Sequence, residues 1–306
     1  MRKISIKSTL IIALIAGLAG CKKGVLNIDT DSGTATNVVE FASTLDNISS
    51  LAKSKYPGYY ADFGTLPLNS SDSINLNVSY SGKDVAPQDI TVKLALDTAA
   101  LRIYNTDNAT TFITPPASIY KFPTSVVIKK GTHQTTVMLV VTNTTAFDYS
   151  VSYGIPLKIE STSYGIISGN FGSSIYTFGI RNKYDGVYTV KGFAFRADPT
   201  SALQGPVGPI DRSFASGGLT TINWAGTVPW ANGGGSNLPA GYEPIITVDP
   251  TTNKISLKSS GGFISANPAY DNRYDPATKT FYLSFTWGAG VTARLHTDTL
   301  VYKKAR

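Results

Sequence analysis

Two histidines, three glutamates and a single cysteine are the side chains of this 306-residue chain best suited to metal binding, acid–base work or nucleophilic attack. Their spacing keeps them apart. His133 falls in a Gly131-Thr132-His133-Gln134 turn of the first half and His296 on a late strand of the second, so a His-based zinc site would need both halves at once. Glycoside hydrolysis needs an acid of raised pKa and a second carboxylate within roughly 5–10 Å. Glu160 ends a strand pattern, whereas Glu243 stands in a Gly/Pro-rich loop of the other half. No Gly-x-Ser-x-Gly elbow, phosphate loop or dinucleotide fingerprint is present. Asp29-Thr30-Asp31 lacks the twelve-residue pattern of a calcium loop and reads as solvated linker. The expectation is therefore no cofactor, no metal and no enzyme, with aspartate pairs the one arrangement that spacing leaves open.

Aromatic rings are what remain for binding. A flat ring stacks on the C–H face of a sugar, and a few fixed polar groups meet its hydroxyls. Trp230 is the first candidate, because Pro229 precedes it and Ala231-Asn232-Gly233-Gly234-Gly235-Ser236-Asn237 follows, leaving almost nothing to bury it. It is either a ligand platform or a loop plug. Trp224, in register with Thr220 and Ile222, suits a core or a platform equally, and Tyr242 and Tyr270 flank loops beside Asn or Asp. Trp287 shares one strand face with Phe281, Leu283 and Phe285 and is expected in a core.

The elements that must hold these rings are strands. Hydrophobic residues make up 42% of the chain and charged residues only 15%, too apolar for disorder, while Glu is scarce and Thr, Ser, Val, Ile and Tyr are abundant. From Ile74 onward apolar residues recur with period two, as in Ile74, Leu76, Val78 and Tyr80, then Ile90, Val92, Leu94 and Leu96. Further strands are expected over 125–129, 135–142, 154–161 and 174–180. In the second half they are expected over 186–195, 220–224, 244–248, 254–258, 281–287 and 292–302. One helix is expected after Asp97, which can cap it, and a weaker helical spacing runs through Leu45, Ile48, Leu51 and Ala52. Asp249-Pro250 and Asp275-Pro276 open two turns of one formula, so both carboxylates read as turn formers. A polar triplet, Arg181-Asn182-Lys183, marks a joint between two domains. The reading is all-β, a sandwich at 37–182 followed by an antiparallel barrel at 183–306.

Cys21 is the other informative residue. Arg2, Lys3 and Lys7 precede an apolar run, Leu10 to Ala19, that is too short for a membrane-spanning helix and reads as a secretory signal. Leu18-Ala19-Gly20-Cys21 resembles the bacterial lipobox, which implies a signal peptide at 1–20, a lipid on Cys21 and a polar tether at 21–36. With those three bases removed, the net charge falls from +7 to 24 bases minus 20 acids, or +4, and basic runs are only pairs such as Lys129-Lys130. A nucleic-acid partner is excluded on that ground.

The stretches from Leu66-Pro67-Leu68-Asn69 to Ala86-Pro87-Gln88-Asp89-Ile90-Thr91-Val92, Tyr120-Lys121-Phe122-Pro123 and Gly154-Ile155-Pro156-Leu157-Lys158-Ile159 resemble the N-terminal domain of unknown function common in Bacteroidota lipoproteins from glycan-utilisation loci. Tyr184-Asp185-Gly186-Val187-Tyr188, Tyr274-Asp275-Pro276-Ala277-Thr278-Lys279-Thr280-Phe281-Tyr282 and Asp298-Thr299-Leu300-Val301-Tyr302 are similar to the lipocalin-like domains paired with it. The resemblance implies an Ig-like sandwich and a lipocalin-like barrel on the outer membrane, at the cell surface or on the periplasmic face, beside a glycan importer. Non-catalytic glycan binding is the first expectation. A structural or adhesive surface protein, and an undetected glycoside hydrolase, are the alternatives.

Overall fold

The computed structural model describes residues 37–306 apart from 44, 50, 52, 83, 199–202, 229–230, 232–237 and 291–292. Cys21, its apolar leader, the tether and Trp230 lie outside the described residues. The first domain is two packed sheets. One has the order β10 (Ile166–Ile167), β1 (Val38–Ala42), β4 (Ser71–Ser81), β8 (Gln134–Thr142), β6 (Tyr120–Lys121). The other runs β2 (Asp46–Ser49), β3 (Gly58–Thr65), β11 (Ser173–Arg181), β9 (Tyr153–Thr162), β5 (Ile90–Leu96), β7 (Ser125–Ile128). The period-two residues of β4 and β5 face each other across the core, together with Val137, Leu139 and Val141 of β8 and Ile155, Leu157 and Ile159 of β9. Tyr176 fills the middle, stacked on Tyr59 at 5.6 Å and edge-on to Phe41 at 6.2 Å.

Helix α1 (Thr98–Asn108) covers the outer face of the second sheet. Asp97 Oδ1 accepts the Ala100 N–H at 3.0 Å, so the cap expected from sequence is made. Ala100, Leu101 and Tyr104 pack on Ile175, and Gly58 leaves room for the Tyr104 ring, whose hydroxyl would lie 2.2 Å from a Cβ there. The helical spacing at Leu45, Ile48, Leu51 and Ala52 is corrected. Residues 46–49 form strand β2, because the free edge of β3 offers backbone partners and Ile48 is turned outward, 47% exposed, instead of sharing a buried helical face.

The second domain is one strongly curved antiparallel sheet. Its order is β16 (Ile255–Ser259), β15 (Pro244–Val248), β14 (Thr221–Ala225), β13 (Gly205–Ser216), β12 (Gly186–Arg196), β20 (Arg294–Lys304), β19 (Thr280–Trp287), β17 (Ser265–Ala266), with β18 (Arg273–Asp275) also on β19. A bridge between Lys254 and Arg273 brings the two ends together, so the barrel is nearly closed. Strand β13 has no counterpart in the sequence reading. Gly205, Pro206, Gly208 and Pro209 hide it, and Gly208 adopts φ 73° where a Cβ would meet the Val190 carbonyl at 2.2 Å.

One end of the barrel is sealed by rings. Phe281 lies 4.7 Å from Tyr274, 5.4 Å from Tyr188 and 6.1 Å from Tyr184, and Tyr188 in turn meets Phe214 and Tyr302 edge-on. The Asp-Pro turns lie at this sealed end. Asp249 Oδ1 accepts the N–H groups of Thr251 and Thr252, and Asp275 accepts the Ala277 N–H and the Thr278 hydroxyl. Each turn closes on a residue of positive φ, Asn253 and Lys279.

The domains meet here too. Arg181 pairs with Asp62 of the sandwich at 2.7 Å, whereas the next side chain, Asn182, is buried in the barrel and donates to the Gly218 and Thr221 carbonyls. Asn182 Oδ1 also accepts the Tyr184 N–H. A fragment of residues 182–306 is therefore expected to fold alone with a cooperative thermal transition, and one starting at residue 184 to melt several degrees lower. No cooperative transition in the longer fragment would show that the barrel depends on the sandwich.

Candidate functional site

Strands β12, β20 and β19 are neighbours, and their inward side chains stack in layers from the sealed end to the opposite, loop end. The registers pair Val190 with Leu300 and Phe281, then Gly192 with Asp298 and Leu283, then Ala194 with His296 and Phe285, and last Arg196 with Arg294 and Trp287. The wall thus changes from apolar to polar along its length.

In the middle layers His296 and Asp298 are both fully buried, with Nδ1 and Oδ2 3.3 Å apart. His296 stacks on Phe285 at 5.3 Å and meets Trp287 in a tilted contact at 5.5 Å. Gly192 makes room for the carboxylate, since a Cβ there would stand 2.1 Å from Asp298 Oδ1. That oxygen has no hydrogen-bond donor among the described residues. A His–Asp pair invites a search for a serine nucleophile, and Ser284 is close by. Its hydroxyl instead donates to the His296 backbone carbonyl at 3.1 Å, and Asn267 and Asn272 hold the residue from the outer side. Among the described residues Ser284 is thus not the nucleophile of a Ser-His-Asp relay.

The rim carries rings. Phe263 is 53% exposed and stacks on Tyr242 at 4.8 Å, 27° from parallel, and Tyr242 meets Trp287 edge-on at 6.0 Å. Two glycines permit this: a Cβ on Gly261 would lie 2.3 Å from the Phe263 ring and one on Gly241 3.0 Å from it, so the ring rests on bare backbone. Val228, Ala231 and Leu238 of the β14–β15 connection are buried.

Trp287 is corrected from core to rim, half-buried at the strand end where the inward row runs out of sheet to cover it. Trp224 is 3% exposed and edge-on to Phe214 at 5.0 Å, so it offers no surface to a ligand. Tyr270 belongs to the segment between β17 and β18, and among the described residues no ring contact joins it to Tyr242. Of the four aromatics singled out from sequence, the described structure brings only Tyr242 to the rim. Phe263, Arg196 and Arg294 were missed. The signal for the arginines was available, since Arg196 continues the inward parity of β12 one step past Ala194 and Arg294 that of β20 one step past His296.

Carboxylates elsewhere fit structural roles. Thr252 and Thr251 N–H groups hold Asp249 below the ordinary carboxylate range, and the Thr278 hydroxyl and Ala277 N–H do the same to Asp275, the opposite of what a general acid needs. Among the described residues no cluster of three or more His, Cys, Asp or Glu could hold a metal, and no helix is long and apolar enough to cross a membrane. The sandwich has a hollow of about 310 Å³ lined by Tyr60, Phe112, Phe147 and Tyr149 among others. With no charged side chain in its lining, it resembles uncovered core more than a site that orients a polar ligand.

Residues 34–166 match a protein-family model described as "-like, N-terminal domain". The match covers most of the first domain. The domain continues past the matched segment into β11, the strand that completes its second sheet. No curated protein matches the chain. Solved structures from Bacteroides ovatus share the fold. A protein of unknown function superposes with a TM-score of 0.58 at 13% identity, covering 88% of this chain and 95% of its own. A second protein of unknown function gives 0.52 at 14% identity, with 86% and 94% covered. A multidomain protein including DUF1735 gives 0.50 at 15% identity, again with 86% and 94% covered. The two-domain arrangement is thus shared along nearly the whole length of these proteins.

Proposed function

We propose that this protein binds a glycan without acting on it, at the loop end of its barrel, while a lipid on Cys21 tethers it to the outer membrane. The observation that carries the reading is the Phe263–Tyr242–Trp287 rim: stacked rings, one of them largely open to water, beside charged groups that could meet hydroxyls. The domain family and the shared two-domain fold support it through the resemblance to lipoproteins of glycan-utilisation loci. On this reading the protein works at the cell surface beside a glycan importer. Trp230, in the same β14–β15 connection as Tyr242, is proposed as a further ring of the platform.

A panel of purified polysaccharides tests the reading by calorimetry. Phe263→Ala and Tyr242→Ala are expected to weaken binding about tenfold or more. The melting temperature of Phe263→Ala should hardly change, because an exposed ring contributes little to the core. An unmutated protein that binds nothing across the panel, or variants that bind as well as it does, would sink the proposal and favour a structural role.

A further inference from the structure

Strand β12 carries a second pair of rings, on the outside of the barrel wall. Its inward row is Val190, Gly192, Ala194 and Arg196, so the residues between them face outward, and Phe193 and Phe195 are 46% and 47% exposed. A lone ring in water is ordinary on a protein surface, but two on alternate residues of one strand make a continuous patch. The pleat sets them about 7 Å apart along the strand. The positions registered beside them are uncharged: Pro206 of β13 and Thr297 of β20 flank Phe193, and Leu295 of β20 stands next to Phe195. Thr286 of β19, opposite Leu295, continues the outward row. Flat apolar surface with threonines beside it is the combination that a sugar's C–H face and hydroxyls require.

Area decides between occupants. Two half-exposed rings offer on the order of 200 Å², whereas a stable protein interface takes roughly 800 Å² from each partner. The patch is too small for a second copy of the chain and large enough for one chain of sugars. It is also continuous with the rim. Phe195 immediately precedes Arg196 of the last inward layer, and Trp287 of that layer lies two strand spacings away, about 10 Å.

We infer that the glycan held at the rim is an extended polymer, whose chain passes over the end of β12 and lies along the outer wall with successive sugars on Phe195 and Phe193. This rests on the glycan-binding proposal above and narrows its ligand to chains long enough to reach both surfaces. The rim takes one stretch of the chain. The outer wall takes the next, and two contacts on one chain reinforce each other as linked sites.

The test is calorimetry on the full chain with xylan, laminarin and linear mannan, each measured beside its own short oligomers. In at least one series the polymer should bind about tenfold or more tightly than its shortest binding oligomer. Phe193→Ala and Phe195→Ala should each remove most of that gain while leaving the oligomer's affinity and the melting temperature nearly unchanged, since both rings are exposed and the rim is untouched. Phe195→Tyr, which keeps a flat ring, should retain the gain. A polymer that binds no better than its oligomers, or a gain untouched by either Ala variant, overturns the inference and leaves the glycan proposal standing. So does a Phe193→Ala chain whose sugar binding is unchanged but which loses self-association in the ultracentrifuge, or, in a Cys21→Ala background, binding to phosphatidylcholine vesicles; the patch then belongs to a second copy or to lipid. If no polymer, oligomer or other polysaccharide of the wider panel binds, both proposals fall together.

Discussion

Phe281→Ala is expected to cost the barrel about 3–5 kcal/mol, the range for emptying a large aromatic site in a packed core. Phe281 has no exposed surface and is the hub of the sealed end, where Tyr184, Tyr188 and Tyr274 all touch it. Those rings cannot close the gap cheaply, because the Tyr188 hydroxyl is tied to the Tyr184 carbonyl at 2.7 Å. A stability loss of that size is a large share of a domain's usual 5–15 kcal/mol. Thermal melts of the full chain should resolve a barrel transition shifted down by 10 °C or more. A shift of only a degree or two would mean that the end is loosely packed. Trp287→Ala, by contrast, removes a half-buried ring at the rim and should lower stability by no more than about 1–2 kcal/mol.

Cys21→Ala is expected to move the protein from the outer-membrane fraction to the soluble one. The expectation rests on Leu18-Ala19-Gly20-Cys21, on the short apolar run before it and on the bases at its start. A lipid supplies roughly 0.8 kcal/mol per buried CH₂, so losing the attachment residue should release nearly all of the protein. A Cys21→Ala chain that stays with the membrane through a carbonate wash would refute the lipobox reading.

The strands were legible wherever one face met water, because alternation then writes the pleat into the sequence. Ile74 to Tyr80 and Phe281 to Trp287 are examples, and their paired strands lie where the periodicity put them. The Asp97 cap and the two Asp-Pro turns were legible because a short carboxylate bonds its own backbone within three residues. What failed to show was set by distant partners. Strand β13 is punctuated with Gly and Pro and is a strand only because β12 and β14 flank it. Segment 46–49 looked helical by spacing, and a free sheet edge made it a strand. At the rim, Phe263 sits between Gly-Gly and Ile264 with nothing local to mark it, and it becomes a platform only when Tyr242 is brought beneath it. Trp224 read as core or platform equally and Trp287 as core, and the structure reverses that order. Trp224 is buried against Phe214 and Trp287 stands at the last layer, a difference of depth that sequence parity does not encode.

The position of the joint gives the molecule a direction. Val38 starts β1 beside β10, at the end of the sandwich where β9 turns into β11, and β11 then runs its whole length before reaching Arg181 at the far end. Asn182 enters the barrel at its sealed face, next to the Gly218 turn, and the C-terminal Arg306 returns there to Asp185. Joint and seal therefore coincide, and the rim is the end of the barrel farthest from the joint. The eleven residues of β12 advance about 3.3 Å each, so with barrel tilt the rim stands roughly 25–30 Å from the joint. Whatever meets the mouth is kept a full barrel height away from the sandwich, so the two domains can meet different neighbours at the same time.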